Sequence, residues 1–206
     1  MGYFMPFDHT QSIDAFLKAT AAKQPTPGGG SVAALAGALA AAMGEMVVNY
    51  SIGKKDLAAH QEELQQALTE LDRARQTMIE LMIEDQAAYE LMTQSRKGDP
   101  AKYQQAVWRG IEVPQAMGAT ANAVLGICER MASKVNKYLL SDLAVCAELA
   151  MATVRCAAYN VRVNLSELSD SDQRRKLEEG LTRQLSECGN RMRELIGRIW
   201  FLQGHS

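Results

Sequence analysis

The chain has 206 residues, 47% of them hydrophobic, and a formal net charge of −2. That length allows one substantial core, and the near-balanced charge excludes the basic footprint expected of a nucleic-acid or anionic-membrane binder. The longest apolar run, Val32 to Gly44, has 13 residues and is mostly alanine, too short to cross a bilayer.

No low-complexity linker divides the sequence, so residues 1–206 are read as a single domain. The first residues carry Pro6, Asp8 and His9 without a basic region and a following apolar stretch, and no signal peptide is expected. Cys128, Cys146, Cys156 and Cys188 form no Cys-x-x-Cys pair and are read as reduced, buried thiols of a cytoplasmic protein. His9, His60 and His205 fall in termini or on a polar surface, so no metal centre is expected.

Alanine, leucine, methionine, glutamate and glutamine dominate, and no strand alternation is present, which predicts an all-α protein. A first helix is predicted over Ser12 to Ala22. It is followed by Pro25-Thr26-Pro27-Gly28-Gly29-Gly30-Ser31, where two prolines fix φ and three glycines widen the backbone's choices. Ser31 is the predicted N-cap of a second helix reaching Ser51, with Gly53 as its C-terminal cap. Open N–H groups at that helix start would suit an anion or a polar ring edge; a plain loop entering a tight helix is the alternative. Within the helix, Ala33, Gly37, Ala40, Ala41, Gly44 and Val48 share a face of small residues, which places it at the bundle centre.

A long third helix is predicted over Leu57 to Thr93, its apolar stripe formed by Leu57, Leu64, Leu68, Leu71, Met78, Leu81 and Met82. Gly98-Asp99-Pro100 ends it, and helical pattern resumes from Ala101 to Met131, where Pro114 is expected to kink or split the element. Ser141 is the predicted cap of a helix reaching Asn164. A last helix begins at Asp170, with Gln173 three residues on, and runs to Leu202. The architecture predicted is an antiparallel multi-helix bundle with long helices, whose spare apolar surface is expected to be buried in a homodimer.

Several positions could carry chemistry. Lys54 and Lys55 follow the central helix, where the dipole favours cations and where they could also hold carboxylates of an anionic substrate. Glu84 and Asp85 interrupt the apolar stripe of the third helix. An inward Asp85 would need a partner or a raised pKa, making it a candidate acid or base. Asn136 and Asp142 bracket the start of the fifth helix, and Asn160 and Asn164 share a face near its end, where two amides among alanines and valines suggest polar recognition. Asp142 and Asn160 are 18 residues apart, about 27 Å along a helix. They can meet one compact ligand only if a neighbouring antiparallel copy supplies one of them.

Taken in order, Pro25-Thr26-Pro27-Gly28-Gly29-Gly30-Ser31, Ile52-Gly53-Lys54-Lys55, Asp85-Gln86-Ala87-Ala88-Tyr89, Val113-Pro114, Asn136 with Ser141-Asp142-Leu143, and Asn160-Val161-Arg162-Val163-Asn164-Leu165 resemble the formiminotetrahydrofolate cyclodeaminase/methenyltetrahydrofolate cyclohydrolase family over nearly the whole chain. Val135 stands where that family has glycine, and Tyr89 where it has phenylalanine. The resemblance implies an all-helical homodimer binding a reduced folate, possibly polyglutamylated, with no metal or redox cofactor. It implies catalysis by Asp85, Asp142 and Lys55. Pro27, Gly28, Gly29, Gly30, Ser31, Lys54, Asn136, Ser141, Asn160 and Asn164 would bind the substrate. A chain without a transferase segment favours methenyltetrahydrofolate cyclohydrolase over the cyclodeaminase alternative; a helical bundle that only binds a partner is the non-enzymatic alternative.

Overall fold

The computed structural model describes residues 10–204; the expectations resting on Pro6, Asp8, His9 and His205 lie outside them. Among the described residues there are six α-helices: α1 (Ile13–Ala21), α2 (Gly29–Asn49), α3 (Gln61–Ser95), α4 (Pro100–Met131), α5 (Leu140–Leu165) and α6 (Ser171–Leu202). Short 3-10 segments at Lys55–His60 and Lys137–Leu139 lead into α3 and α5. The protein is the all-α multi-helix bundle its sequence predicts.

Side-chain neighbours give the packing directions. Along α2, the space beside Gly30, Gly37 and Gly44 is filled by Asp85, Met78 and Leu71 of α3, which fixes an antiparallel pair. Thr153 bonds the Ala33 carbonyl, and Cys146 lies beside Gly44, so α5 is antiparallel to α2 as well. Cys128 and Cys146 touch at 3.3 Å and Gly118 faces Ala157, which makes α4 and α5 antiparallel. By contrast, Glu129 to Arg191 and Ser133 to Arg198 join α4 and α6 running the same way.

The small face of α2 does what its composition suggests. Ala33, Gly37, Ala40, Ala41, Gly44 and Val48 are all buried, and a Cβ on Gly37 or Gly44 would come within 2.7 Å of Met78 or 2.9 Å of Leu71. Glycine there lets α3 close on α2 and offsets its poor helix propensity by dense packing. The predicted stripe is likewise buried, with Leu68 only partly so, but Leu57 belongs to the 3-10 segment and α3 itself starts at Gln61.

Four local expectations are corrected. Gly28, not Ser31, is the N-cap of α2; the first helical bond runs from Val32 N–H to the Gly28 carbonyl, and Ser31 lies one turn inside. At the other end α2 stops at Asn49, and Gly53 is not its cap: it takes φ +78° in the turn beyond and donates to Gln61 Oε1. Ser141 is not the cap of α5 but an exposed residue within it, because the 3-10 turn capped by Asn136 already starts the helix at Leu140. Pro114 does not split α4, which is continuous through it. Asp170 caps α6 as expected, accepting from Asp172 and Gln173 N–H.

Two further differences concern exposure. Cys156 is exposed on α5, unlike the three buried thiols. Helix α2 has 21 residues and a mean hydropathy of 1.8, long and apolar enough by itself to cross a membrane, so the shorter run read from the sequence understated it. In the bundle, 56% of that window is buried. Its remaining face carries Val32, Leu39 and Tyr50 outward, and α5 likewise exposes Val145, Tyr159 and Val163.

Candidate active site

Three successive glycines at the start of α2, its N-cap and first two residues, govern the site. Gly28, Gly29 and Gly30 bring the chain into the helix without side chains, and the carboxylate of Asp85 on α3 occupies the space a Cβ on Gly30 would need, with Oδ1 1.9 Å from it. Ser31 donates its hydroxyl to Asp85 Oδ2 at 3.0 Å, and its backbone N–H also bonds that carboxylate. Asp85 therefore caps α2 from a different helix, filling the place of the missing N-cap side chain. The expectation that these N–H groups lie open to a ligand is corrected at Ser31. Burial raises the pKa of Asp85 and outweighs the two Ser31 bonds, which favour the charged form.

Around this carboxylate opens a cleft of about 390 Å³, bounded by the Pro25–Gly30 segment, by α3 from Asp85 to Arg96, and by parts of α4 and α5. Asn160 and Asn164 both line it. The amide nitrogen of Asn160 donates to the Cys156 carbonyl at 2.9 Å, and that of Asn164 donates to the Gly110 carbonyl at 2.6 Å. The second bond has a definite origin: Pro114 has no N–H, so the Gly110 carbonyl four residues earlier loses its helical partner and Asn164 supplies one. Both amides are thus held nitrogen-inward, and their oxygens remain as acceptors. Thr26, 2% exposed, lines the same cleft, and its hydroxyl has no hydrogen-bond partner among the described residues.

The other predicted residues are elsewhere. Pro27 is buried behind the cleft. Asn136 donates its backbone N–H to Ser51 Oγ just beyond α2, which ties the start of α5 to the far end of the bundle. Lys54, Lys55, Ser141 and Asp142 belong to that end, and among the described residues no ion pair engages either lysine or Asp142. Val135 packs in the core there at 5% exposure. The structure therefore groups Pro27–Ser31, Asp85, Asn160 and Asn164 at one end and Lys54, Lys55, Asn136, Ser141 and Asp142 at the other, about 30 Å away along α2.

Sequence reading missed Arg96, Tyr103 and Glu167, which line the outer part of the cleft. Arg96 donates to Glu167 Oε1 at 2.8 Å, and the Tyr103 hydroxyl donates to Oε2 at 2.9 Å. Helical spacing from Asp85 points to Arg96, eleven residues on; the pairing with Glu167, 71 residues away, has no local signal.

A cleft at the end of a helical bundle, with a half-buried carboxylate, two oriented amide oxygens and an apolar wall, defines a site for a small molecule rich in N–H donors. Comparison with known proteins gives the narrower class. The formiminotransferase-cyclodeaminase family model matches residues 12–183, and the chain belongs to that family. It is 32% identical to a methenyltetrahydrofolate cyclohydrolase from Methylorubrum extorquens, covering 90% of this chain and 96% of that one. It is 28% identical to the formimidoyltransferase-cyclodeaminase of Gallus gallus over 87% of this chain, and spans only 35% of that longer relative. The crystal structure of formiminotetrahydrofolate cyclodeaminase from Thermotoga maritima has the same fold, with a TM-score of 0.84, 28% identity, and 95% and 96% of the two chains covered.

Proposed function

We propose that the chain is a formiminotetrahydrofolate cyclodeaminase, acting on the carbon between N5 and N10 of a reduced folate. The observation that carries this reading is Asp85, a carboxyl of raised pKa seated at the head of a cleft lined by acceptor oxygens. A reduced pterin presents ring and exocyclic N–H donors to such a lining. In the reaction, N10 attacks the carbon of the cationic formimino group to give a tetrahedral centre. The proton on N10 moves to the departing nitrogen, the carbon–nitrogen bond breaks, and ammonia leaves with the 5,10-methenyl cation behind. A single carboxyl can carry that proton between two nitrogens on one carbon, and a raised pKa suits it to both halves of the transfer. Its negative charge also offsets the cation throughout. The family model and the similar Thermotoga maritima structure both support the deaminase reading.

Methenyltetrahydrofolate cyclohydrolase is the second reading, favoured by the Methylorubrum extorquens relative of nearly equal length. There, water adds to the methenyl carbon, Asp85 takes one of its protons and passes it to N5, and as the N5–carbon bond breaks the remaining hydroxyl proton is released to solvent, leaving neutral 10-formyltetrahydrofolate. The methenyl compound absorbs, so one assay separates the readings: the deaminase forms it from 5-formiminotetrahydrofolate with release of ammonia, and the hydrolase consumes it. Ammonia release at a rate well above the consumption of methenyltetrahydrofolate is the expected result. Consumption alone would replace the first reading by the second, and a folded protein that binds no reduced folate by calorimetry would sink both. The reducing cytoplasm is the compartment that fits the free thiols.

The working unit proposed is a homodimer. Two packed helices each turn large apolar side chains outward, Val32, Leu39 and Tyr50 from α2 and Val145, Tyr159 and Val163 from α5, each at least 41% exposed, and these are the contact surface we assign to the dimer. A two-fold pairing through this surface runs the partner's helices antiparallel and brings its Lys54, Lys55, Asn136, Ser141 and Asp142 to the mouth of the Asp85 cleft. Lys55 would then polarise the reacting group, with Asp142 as the second carboxylate and Lys54 beside a longer polyglutamate tail. The contact should exceed the roughly 1,600 Å² of a standard interface. Mixing inactive Asp142→Asn subunits with inactive Asn160→Ala subunits is expected to restore activity, because each mixed dimer keeps one intact site. A fully mixed dimer without recovered activity would refute the shared site.

A further inference from the structure

The cleft has a direction. Along α3 its wall is made by Asp85, Ala88, Tyr89, Met92 and then Arg96, which share one helical face and span roughly 16 Å. Asp85 and the acceptor amides occupy the inner end. Met92, Val113 and Val163 give the middle an apolar wall. Arg96 stands at the outer end, at the C-terminus of α3 where the helix dipole favours a cation, and among the described residues lining the cleft it is the only one of positive charge.

Arg96 is held in place. Its Nη2 donates to one oxygen of Glu167, while Tyr103 donates to the other. Gln104 Nε2 bonds the Glu167 carbonyl at 3.0 Å, which fixes the backbone from which that carboxylate projects. Both Glu167 oxygens are therefore engaged, and Arg96 keeps Nε and Nη1 for another acceptor. Arg96 is therefore the one formal positive charge that the described lining of the cleft offers a ligand carboxylate.

Resting on the folate reading above, we propose that Arg96 binds the α-carboxylate of the substrate's first glutamate, with Glu167 and Tyr103 as positioning residues and the pterin at Asp85. Aminobenzoyl then lies against Met92, Val113 and Val163. The test compares the substrate with its pteroate counterpart, which lacks the glutamate, on wild type and Arg96→Ala. For the wild type, removing the glutamate should raise KM by about 10- to 100-fold, as expected for a charge-assisted bond. Arg96→Ala should raise KM for the glutamate form by the same factor, leave the pteroate form unchanged, and leave kcat unchanged for both. Arg96→Lys should recover part of the loss through charge without the fork. Equal losses on both substrates, or no discrimination by the wild type, would overturn the assignment while leaving the folate reading intact. Failure of the wild type to bind either compound would instead remove the folate reading, and this assignment with it. Thermal unfolding is expected to be little changed in either variant, since the Arg96 side chain is 64% exposed.

Discussion

Replacing Asp85 by asparagine is expected to lower turnover by roughly 100- to 10,000-fold, the usual effect of losing a positioned acid or base. The fold should not suffer. An asparagine oxygen can still accept from the Ser31 N–H, and the Ser31 hydroxyl can turn to accept from the new amide. The pH dependence has a definite sign. Burial raises the pKa of Asp85 in the folded protein, so the native state holds its proton more tightly than the unfolded chain does. That contribution to stability is complete in acid, below the ordinary carboxylate range, and is lost as pH rises through the raised value. Asparagine copies the protonated form at every pH. The melting temperature of Asp85→Asn should therefore match the wild type in acid and equal or exceed it at neutral pH. A variant that kept wild-type turnover would make Asp85 a structural cap of α2 and nothing more.

Gly30→Ala is expected to have an effect of similar size without touching a functional group. An alanine Cβ there would lie 1.9 Å from Asp85 Oδ1 and 2.4 Å from its carboxyl carbon, so the carboxylate must leave its seat. Turnover should fall by at least about 100-fold, while helical content holds, because alanine is the better helix former. Neighbouring glycines supply a graded control. At Gly29 the nearest atom is Asn160 Oδ1 at 3.4 Å, and at Gly180 on α6 nothing lies within 4 Å. Measured kcat should follow the order Gly180→Ala, Gly29→Ala, Gly30→Ala from unaffected to most impaired. If Gly30→Ala stayed within threefold of wild type, the placement of Asp85 against α2 would be wrong.

The glycine segment shows how sequence and tertiary structure divide the information. Its composition marks a chain entering a helix at close quarters, and that much is local. What comes close is not written nearby: the group is a carboxylate 55 residues later, brought in by the antiparallel packing of α3 on α2. Ser31 was read as a cap because serine before a helical run satisfies free N–H groups. In the bundle, Asp85 arrives from outside and does that work, which moves the helix start to Gly29 and turns Ser31 into a donor. The same local logic predicts that Pro114 kinks or splits its helix. The helix continues because Asn164, on a different helix, takes the carbonyl that proline leaves unpaired.

Helix positions, the buried stripe of α3, the small face of α2 and the shared face of Asn160 and Asn164 follow from a 3.6-residue period and side-chain size, which are properties of the chain read in order. The separation of Asp142 from Asn160 is also legible, since a straight helix is a ruler. The raised pKa of Asp85, the inward turn of both amides and the triad of Arg96, Glu167 and Tyr103 are set by atoms far apart in sequence. Desolvation and hydrogen bonding act over a few ångströms of space, so the local pattern marks Asp85, Asn160 and Asn164, whereas only the packed bundle brings them together and adds Arg96, Tyr103 and Glu167.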